Sequence, residues 1–148
     1  MRARSVPCYG GVFVVLVVLA AMGWRRWPWT YPAIFYGTII LFTISLYDDW
    51  RGVAWWHRLV WQLYVGGVVG YELGFRGWDL VLVIAAIAWM TNLYNFMDGL
   101  DGLAPSMGVA GFGVLGGLAM LQASEIGCVA LGIALAALLV VPMNWPPA

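Results

Sequence analysis

The sequence has 148 residues, of which 64% are hydrophobic and only 9% are charged. Because soluble domains carry roughly 25% charged residues, this composition excludes an ordinary water-soluble domain and predicts an integral protein of the lipid bilayer. The formal net charge is zero and all seven basic residues are arginine, so we expect no nucleic-acid partner and no lysine nucleophile.

Six apolar segments follow one another along the chain, at about 11–22, 31–47, 59–74, 80–97, 103–122 and 126–143. Most approach the roughly 17 to 25 residues with which a helix crosses a hydrocarbon core, and β-strands would not give such long uniform runs. We therefore predict an all-α fold, a polytopic transmembrane bundle of about six helices that forms one domain over residues 1–148. The first segment resembles a signal peptide in length, but the remainder is equally apolar, so no soluble mature domain would be released.

The predicted loops carry most of the charges. With six crossings, the amino end, the loop at 48–58, the turn at 98–102 and the carboxyl end lie on one side, together with four of the seven acidic residues. This side has four arginines and the other has three, so the arginine bias favours, by a small margin, a cytoplasmic location for it.

Small residues at four-residue spacing predict close contacts between helices. Gly66, Gly70 and Gly74 form one such series, and Gly113 and Gly117 form another. We interpret both series as scaffold rather than as chemistry.

The stretch "TNLYNFMDGLDGLA" places polar side chains every three residues at the end of an apolar segment, at Asn92, Asn95, Asp98 and Asp101. Each step of three residues drifts back by about 60° on a helix, so three successive members fit within about 120° and form a sloping stripe. Helix caps and turns also use these residue types, but a single cap needs one of them.

A second acidic pair, Asp48 and Asp49, ends the segment at 31–47. Adjacent helical residues point about 100° apart, so the two carboxylates cannot serve the same partner without a break in the helix. A cation such as Mg²⁺ would compensate their repulsion. Arg51 and Arg58 could neutralise the carboxylates, hold phosphate oxygens or anchor the chain among lipid headgroups.

Carboxylates from two loops, amides on an adjoining helix and nearby arginines suit a metal-bound, multiply charged substrate at a membrane face. Phosphoryl transfer fits these groups, since it mainly needs alignment of the reactants and neutralisation of phosphate charge. A transporter would place its carboxylates nearer the bilayer midplane, and a noncatalytic membrane scaffold would use the glycine series alone.

Three stretches, "SLYDDWRG", "RLVWQ" and "TNLYNFMDGLDGLA", resemble motifs of the bacterial glycosyl transferase family 4 enzymes, the polyprenyl-phosphate sugar-1-phosphate transferases. The third is the most specific, because it matches the family's Asn-x-x-Asn-x-x-Asp-Gly-x-Asp-Gly pattern from Asn92 to Gly102. The resemblance implies a Mg²⁺-dependent enzyme that transfers an N-acetylhexosamine-1-phosphate, preferably N-acetylglucosamine-1-phosphate, from a UDP-sugar to undecaprenyl phosphate and releases UMP. The donor preference follows from "DDWRG", which lacks the lysine usual in the muramoyl-pentapeptide branch.

The resemblance also implies roles for individual residues. Asp48 would deprotonate or orient the lipid phosphate, with Asp49 near the metal. Asn95, Asp98 and Asp101 would organise the diphosphate and its Mg²⁺. The implied metal ligands are Asp49, Asp98 and Asp101. The implied substrate-binding residues are Asn92, Asn95, Arg51 and Arg58.

The implied location is the bacterial inner membrane, with a cytoplasmic active face and a role in cell-wall or lipopolysaccharide synthesis; assembly as a homodimer is left open. Family members continue beyond a stretch like "PMNWPPA" into a Phe-Met-Gly-Asp motif and a histidine-bearing loop. We therefore expect this chain to be the central part of a longer family member, with an inactive truncated copy as the alternative.

Overall fold

The computed structural model describes residues 9–98, 102–122 and 125–143. All of its regular elements are helices, and six of them are long, which confirms the predicted all-α architecture. The elements in chain order are α1 (Tyr9–Trp24), α2 (Trp27–Thr30), α3 (Pro32–Arg51), α4 (Trp55–Glu72), α5 (Gly77–Asp98), α6 (Leu103–Leu121), α7 (Glu125–Val140) and a final 3₁₀ turn (Val141–Met143).

Two helical stretches, Gly77–Phe96 and Leu103–Leu121, are long and apolar enough to cross a membrane. Only 6% and 17% of the residues in their most apolar windows are buried within the protein, whereas the core helix of a soluble protein would be mostly covered. Large apolar side chains such as Leu82 and Leu121 lie 67% and 84% exposed. Exposed apolar surface on this scale fits contact with lipid or with further protein, rather than with water.

The described helices form two compact units. One contains α1, α6 and α7, and the other contains α2 to α4 with α5 as far as Asn95. In the first unit α7 packs against both α1 and α6, and its buried residues include Ala134 and Ala137. Their small side chains let the helix backbones approach closely, which is the packing typical of membrane helices.

In the second unit α3, α4 and α5 alternate in direction. At one end, Glu72 on the last turn of α4 accepts a hydrogen bond from the Ala33 N–H at the start of α3, with 3.0 Å between Oε1 and N. Glu72 therefore caps a helix start that lacks a cap of its own. The carboxyl end of α3, the amino end of α4 and the carboxyl half of α5 meet at the opposite end, around one cavity.

The glycine predictions are partly confirmed. A Cβ at Gly66 would lie 3.4 Å from the Ile84 Cα, and one at Gly70 would lie 2.7 Å from Leu80 Cδ1, so both glycines lie at the contact of α4 with α5. Gly74 instead has a φ of +90° and lies in the turn after α4.

The predicted contacts of Gly113 and Gly117 are wrong, because an added Cβ at either meets no atom within 4 Å in the described part of the chain. In α6, Gly116 is in close contact with a neighbouring helix and lies against Leu131 of α7. Several glycines lie on different faces of α6, and their spacing alone does not show which face packs against α7.

Candidate active site

A tight corner joins α3 to α4. Helix α3 continues through the acidic pair to Arg51, and α4 begins at Trp55, so the predicted loop at 48–58 is reduced to residues 52–54. Gly52 ends α3 with a φ of +68°, which favours glycine because it has no Cβ. The expectation that Asp48 and Asp49 end the segment was wrong, because α3 continues to Arg51.

Asp48 closes this corner with both carboxylate oxygens. Its Oδ1 accepts the Val53 N–H and its Oδ2 accepts a hydrogen bond from Arg58 Nη1, each at 2.6 Å. The ion pair is partly shielded from solvent, with 17% of the Asp48 side chain and 33% of the Arg58 side chain exposed. Arg58 thus neutralises a carboxylate, one of the roles that the sequence left open.

Asp49 has different surroundings, although it is the next residue. Its side chain is exposed and makes no hydrogen bond or ion pair among the described residues. The separation follows from helix geometry, since adjacent residues point about 100° apart and α3 is unbroken here. Arg51 is also exposed, with its guanidinium 5.5 Å from the centre of the Trp50 ring.

The two asparagines lie on the last turns of α5. Asn92 Nδ2 donates one hydrogen bond to Gln62 Oε1 at 2.7 Å and another to the Ala88 carbonyl oxygen at 2.8 Å. Asn95 is exposed and lies on the rim of the cavity.

The cavity at this end of the second unit has a volume of about 60 Å³. Helices α3, α4 and α5 all contribute to its lining, which consists of Leu41, Ile44, Ser45, Arg58, Gln62, Thr91 and Asn95. Polar groups from two sequence-predicted positions, Arg58 and Asn95, therefore face one space. That volume is enough for a few water molecules or a small polar group, not for a whole nucleotide sugar.

The remaining predicted acids are less fully described. Asp98 is the last residue of α5, but its side chain and the whole of Asp101 lie outside the described residues. Their predicted convergence with Asp49 therefore stays a prediction. Within the described residues, no group of three metal-ligating His, Cys, Asp or Glu side chains occurs, and Asp49 is the one described member of the predicted Mg²⁺ set.

Sequence reasoning missed the role of Gln62. This side chain is 3% exposed and is the buried polar residue of the described core. The sequence signal was present, since "RLVWQ" places an amide within an apolar helix, where an unpartnered polar group is unfavourable. Its partner could not be read from the sequence, because Asn92 lies 30 residues away.

Comparison with known proteins identifies the family. The family model "Glycosyl transferase family 4" matches residues 31–148, which include α3 to α7. Among curated proteins, the chain is similar to a phospho-N-acetylmuramoyl-pentapeptide-transferase of Limosilactobacillus fermentum, with 28% identity over 99% of this chain and 54% of that protein. It is also similar to a protein of the same name from Neisseria gonorrhoeae, with 25% identity over 68% of this chain and 37% of that protein.

The chain thus spans about half the length, or less, of these curated relatives. No solved structure matches it. The motif resemblance at both acidic segments and the family match over most of the chain agree: the chain belongs to glycosyl transferase family 4.

Proposed function

We propose that the protein to which this chain belongs transfers a phospho-N-acetylhexosamine from a UDP-sugar to undecaprenyl phosphate and releases UMP. The family match over residues 31–148 carries this proposal, because it includes both acidic segments. The grouping of Asp48, Arg58 and Asn95 at one end of the second unit supports it, since phosphoryl transfer needs charged and polar groups at a common place.

The proposed roles combine the family resemblance with the surroundings of each side chain. Asp48 orients or deprotonates the lipid phosphate, and Arg58 holds its carboxylate in place. Arg51 is exposed and free of an acidic partner among the described side chains, so it is the arginine available to bind phosphate oxygens.

Mg²⁺ is the proposed cofactor, with Asp49, Asp98 and Asp101 as its ligands. Asp49 fits this role, because its exposed carboxylate is free of described partners and hard cations prefer oxygen ligands. When bound, the ion would neutralise diphosphate charge. The residues themselves would bind the nucleotide sugar through Asn92 and Asn95 and align it with the lipid phosphate.

The positions of the acids favour an enzyme at a membrane face over a transporter. Asp48 lies in the last turn of α3, and Asp98 is the last residue of α5, just beyond the apolar stretch Gly77–Phe96. A transport pathway is expected to place its carboxylates near the midpoints of such helices. The proposed location is the bacterial inner membrane, with this end facing the cytoplasm.

Two nucleotide sugars are candidate donors of the phospho-sugar. The absence of a lysine after the acidic pair favours UDP-N-acetylglucosamine, whereas the names of the relatives favour a UDP-linked N-acetylmuramoyl pentapeptide. Membranes containing the protein should be incubated with undecaprenyl phosphate and each radiolabelled donor in parallel. We expect lipid-linked label from UDP-N-acetylglucosamine, while label from the pentapeptide donor alone would overturn the donor assignment. No lipid-linked label from either donor would overturn the function.

The same assay tests the cofactor and Asp49. We expect EDTA to abolish incorporation and added Mg²⁺ to restore it. Asp49→Asn should lower the rate by roughly a hundredfold or more, because it weakens the binding of an ion whose neutralisation of transition-state charge is worth several kcal/mol. Asp79→Asn is the matched control, since Asp79 is also exposed but lies in the first turn of α5, at the opposite end of the unit. Equal rates for the two variants would contradict the role of Asp49.

A further inference from the structure

The buried amide of Gln62 is the feature of the site that the proposed roles do not use. Gln62 is 3% exposed and lies on α4, between α3 and α5. A buried amide without a partner destabilises a fold, so an apolar side chain would serve packing better at this position. The hydrogen bond from Asn92 gives the buried carbonyl oxygen of Gln62 a partner and connects it to the polar stripe of α5.

The two bonds of Asn92 fix the orientation of its amide. The backbone carbonyl oxygen of Ala88 can only accept a hydrogen bond, so the Asn92 side-chain atom 2.8 Å from it must be the donating nitrogen. The Gln62 atom 2.7 Å from the same nitrogen must then be an acceptor, which is its Oε1. Both hydrogens of the Asn92 amide are used within the protein.

This arrangement leaves the Asn92 carbonyl oxygen, Oδ1, as the group that can meet a substrate. The side chain is exposed, and no described residue donates a hydrogen bond to this oxygen. A carbonyl oxygen accepts hydrogen bonds, so it suits a hydroxyl or an amide N–H and is repelled by the oxygens of a phosphate.

Gln62 is also connected to the acidic end of α3. It lies four residues after Arg58 on α4, so both side chains project from the same helix face and line the same cavity. Arg58 holds Asp48, and Gln62 holds Asn92. One face of α4 thereby positions a group from each neighbouring helix.

We infer that Gln62 is a positioning residue, which turns the Asn92 amide so that Asn92 binds a hydrogen-bond donor of the nucleotide sugar, a hydroxyl or an amide N–H, rather than a phosphate oxygen. The consequence for the reaction rests on the proposed function. The orientation of the amide rests on the contacts of Gln62, Asn92 and Ala88 alone.

The kinetic test uses Gln62→Met, which keeps the length of the side chain and removes the acceptor. We expect the KM for the UDP-sugar to rise about tenfold, the equivalent of one hydrogen bond, while the KM for undecaprenyl phosphate changes less than about twofold. Gln62→Glu keeps an acceptor oxygen and should retain a lower donor KM than Gln62→Met. Gln122→Met, at the exposed end of α6, is the matched control and should equal the wild type.

A double variant distinguishes positioning from general damage. If Gln62 acts through Asn92, then adding Gln62→Met to Asn92→Ala should cause no further rise in the donor KM. Multiplied effects, an equal rise in both KM values, or a Gln62→Met variant with wild-type kinetics would each overturn the inference while leaving the transferase function in place.

A spectroscopic test works without any enzyme activity. The chain contains three asparagines, so selective ¹⁵N-asparagine labelling of the protein in detergent micelles gives three side-chain NH₂ signals from this chain, at Asn92, Asn95 and Asn144. We expect the Asn92 NH₂ hydrogens to exchange with water at least about tenfold more slowly than those of Asn95, which makes no described hydrogen bond. Gln62→Met should remove that protection. An Asn92 signal that is unprotected in the wild type would overturn the inference, and an inactive wild-type protein would overturn only the proposed function.

Discussion

At the scale of residues, two consecutive carboxylates on α3 have separate tasks because the helix turns them apart. Asp48 bonds to Val53 and Arg58 and thereby closes the corner between two helices. Asp49 is exposed and has no such contacts in the described part of the chain. An asparagine at either position changes the charge by the same amount, so a comparison of the two variants isolates the contribution of the Asp48 contacts to stability.

Asp48→Asn should destabilise the protein, whatever its effect on activity. The change removes the charge that neutralises the partly shielded Arg58. We expect the free energy of unfolding to fall by about 1–3 kcal/mol, nearer the lower value because solvent screens this pair. Thermal unfolding in detergent should show a Tm several degrees below that of the wild type.

The control for this prediction is Asp49→Asn, which should leave the Tm unchanged within about one degree, because surface substitutions usually have small effects. A Tm for Asp48→Asn equal to that of Asp49→Asn would show that the corner does not depend on the Asp48–Arg58 pair.

At the scale of elements, neighbouring glycines on α6 differ in what surrounds them. A Cβ at Gly116 would lie 2.8 Å from Leu131 Cγ and 2.9 Å from the Leu131 backbone nitrogen, so a change of rotamer alone could not make room. A Cβ at Gly117 meets nothing within 4 Å in the described structure. On α6, the contact with α7 therefore requires glycine at position 116 and tolerates a larger residue at position 117.

Gly116→Ala is expected to destabilise the first unit, since overpacking costs about 1–3 kcal/mol and the gain in helix propensity returns at most about 1 kcal/mol. Gly117→Ala should be neutral or stabilising, because it gains propensity without a clash. Thermal unfolding of the two variants side by side measures the difference. A more stable Gly116→Ala would mean that α6 and α7 lie farther apart than the structure places them.

At the scale of the whole molecule, the second unit predicts that the two loops flanking α4 lie on opposite sides of the membrane. The α3–α4 corner and the turn between α4 and α5 lie at opposite ends of α4. Single cysteines at Ala54 and Phe75, both exposed, mark these two ends in a background with Cys8 and Cys128 replaced by serine.

An impermeant maleimide should label Phe75→Cys in intact spheroplasts and label Ala54→Cys only after permeabilisation, because the arginine bias favours a cytoplasmic corner. Labelling of both cysteines in intact spheroplasts would contradict a membrane crossing by α4. Labelling in the reverse order would keep the crossing and invert the predicted orientation.

The helices were predictable because their signal is local. In lipid, backbone N–H and C=O groups must form hydrogen bonds within their own segment, so long apolar runs predict helices. The six predicted segments correspond to the six long helices. Their ends were less accurate, as at Asp48, because α3 continues one turn past Tyr47, the end of the predicted apolar segment. The polar residues near the end of α3 do not show where the helix ends, because it ends at Gly52, whose φ is positive.

The candidate site was predictable in its residue types and not in its contacts. The sequence alone determined that carboxylates, amides and arginines lie near helix ends, since charged groups avoid the middle of an apolar segment. Only the tertiary structure decided that Asp48 pairs with Arg58, that Asp49 does not, and that Gln62 orients Asn92. These choices depend on which faces of α3, α4 and α5 meet, and that packing is set by contacts between residues far apart in the chain, which local patterns do not encode.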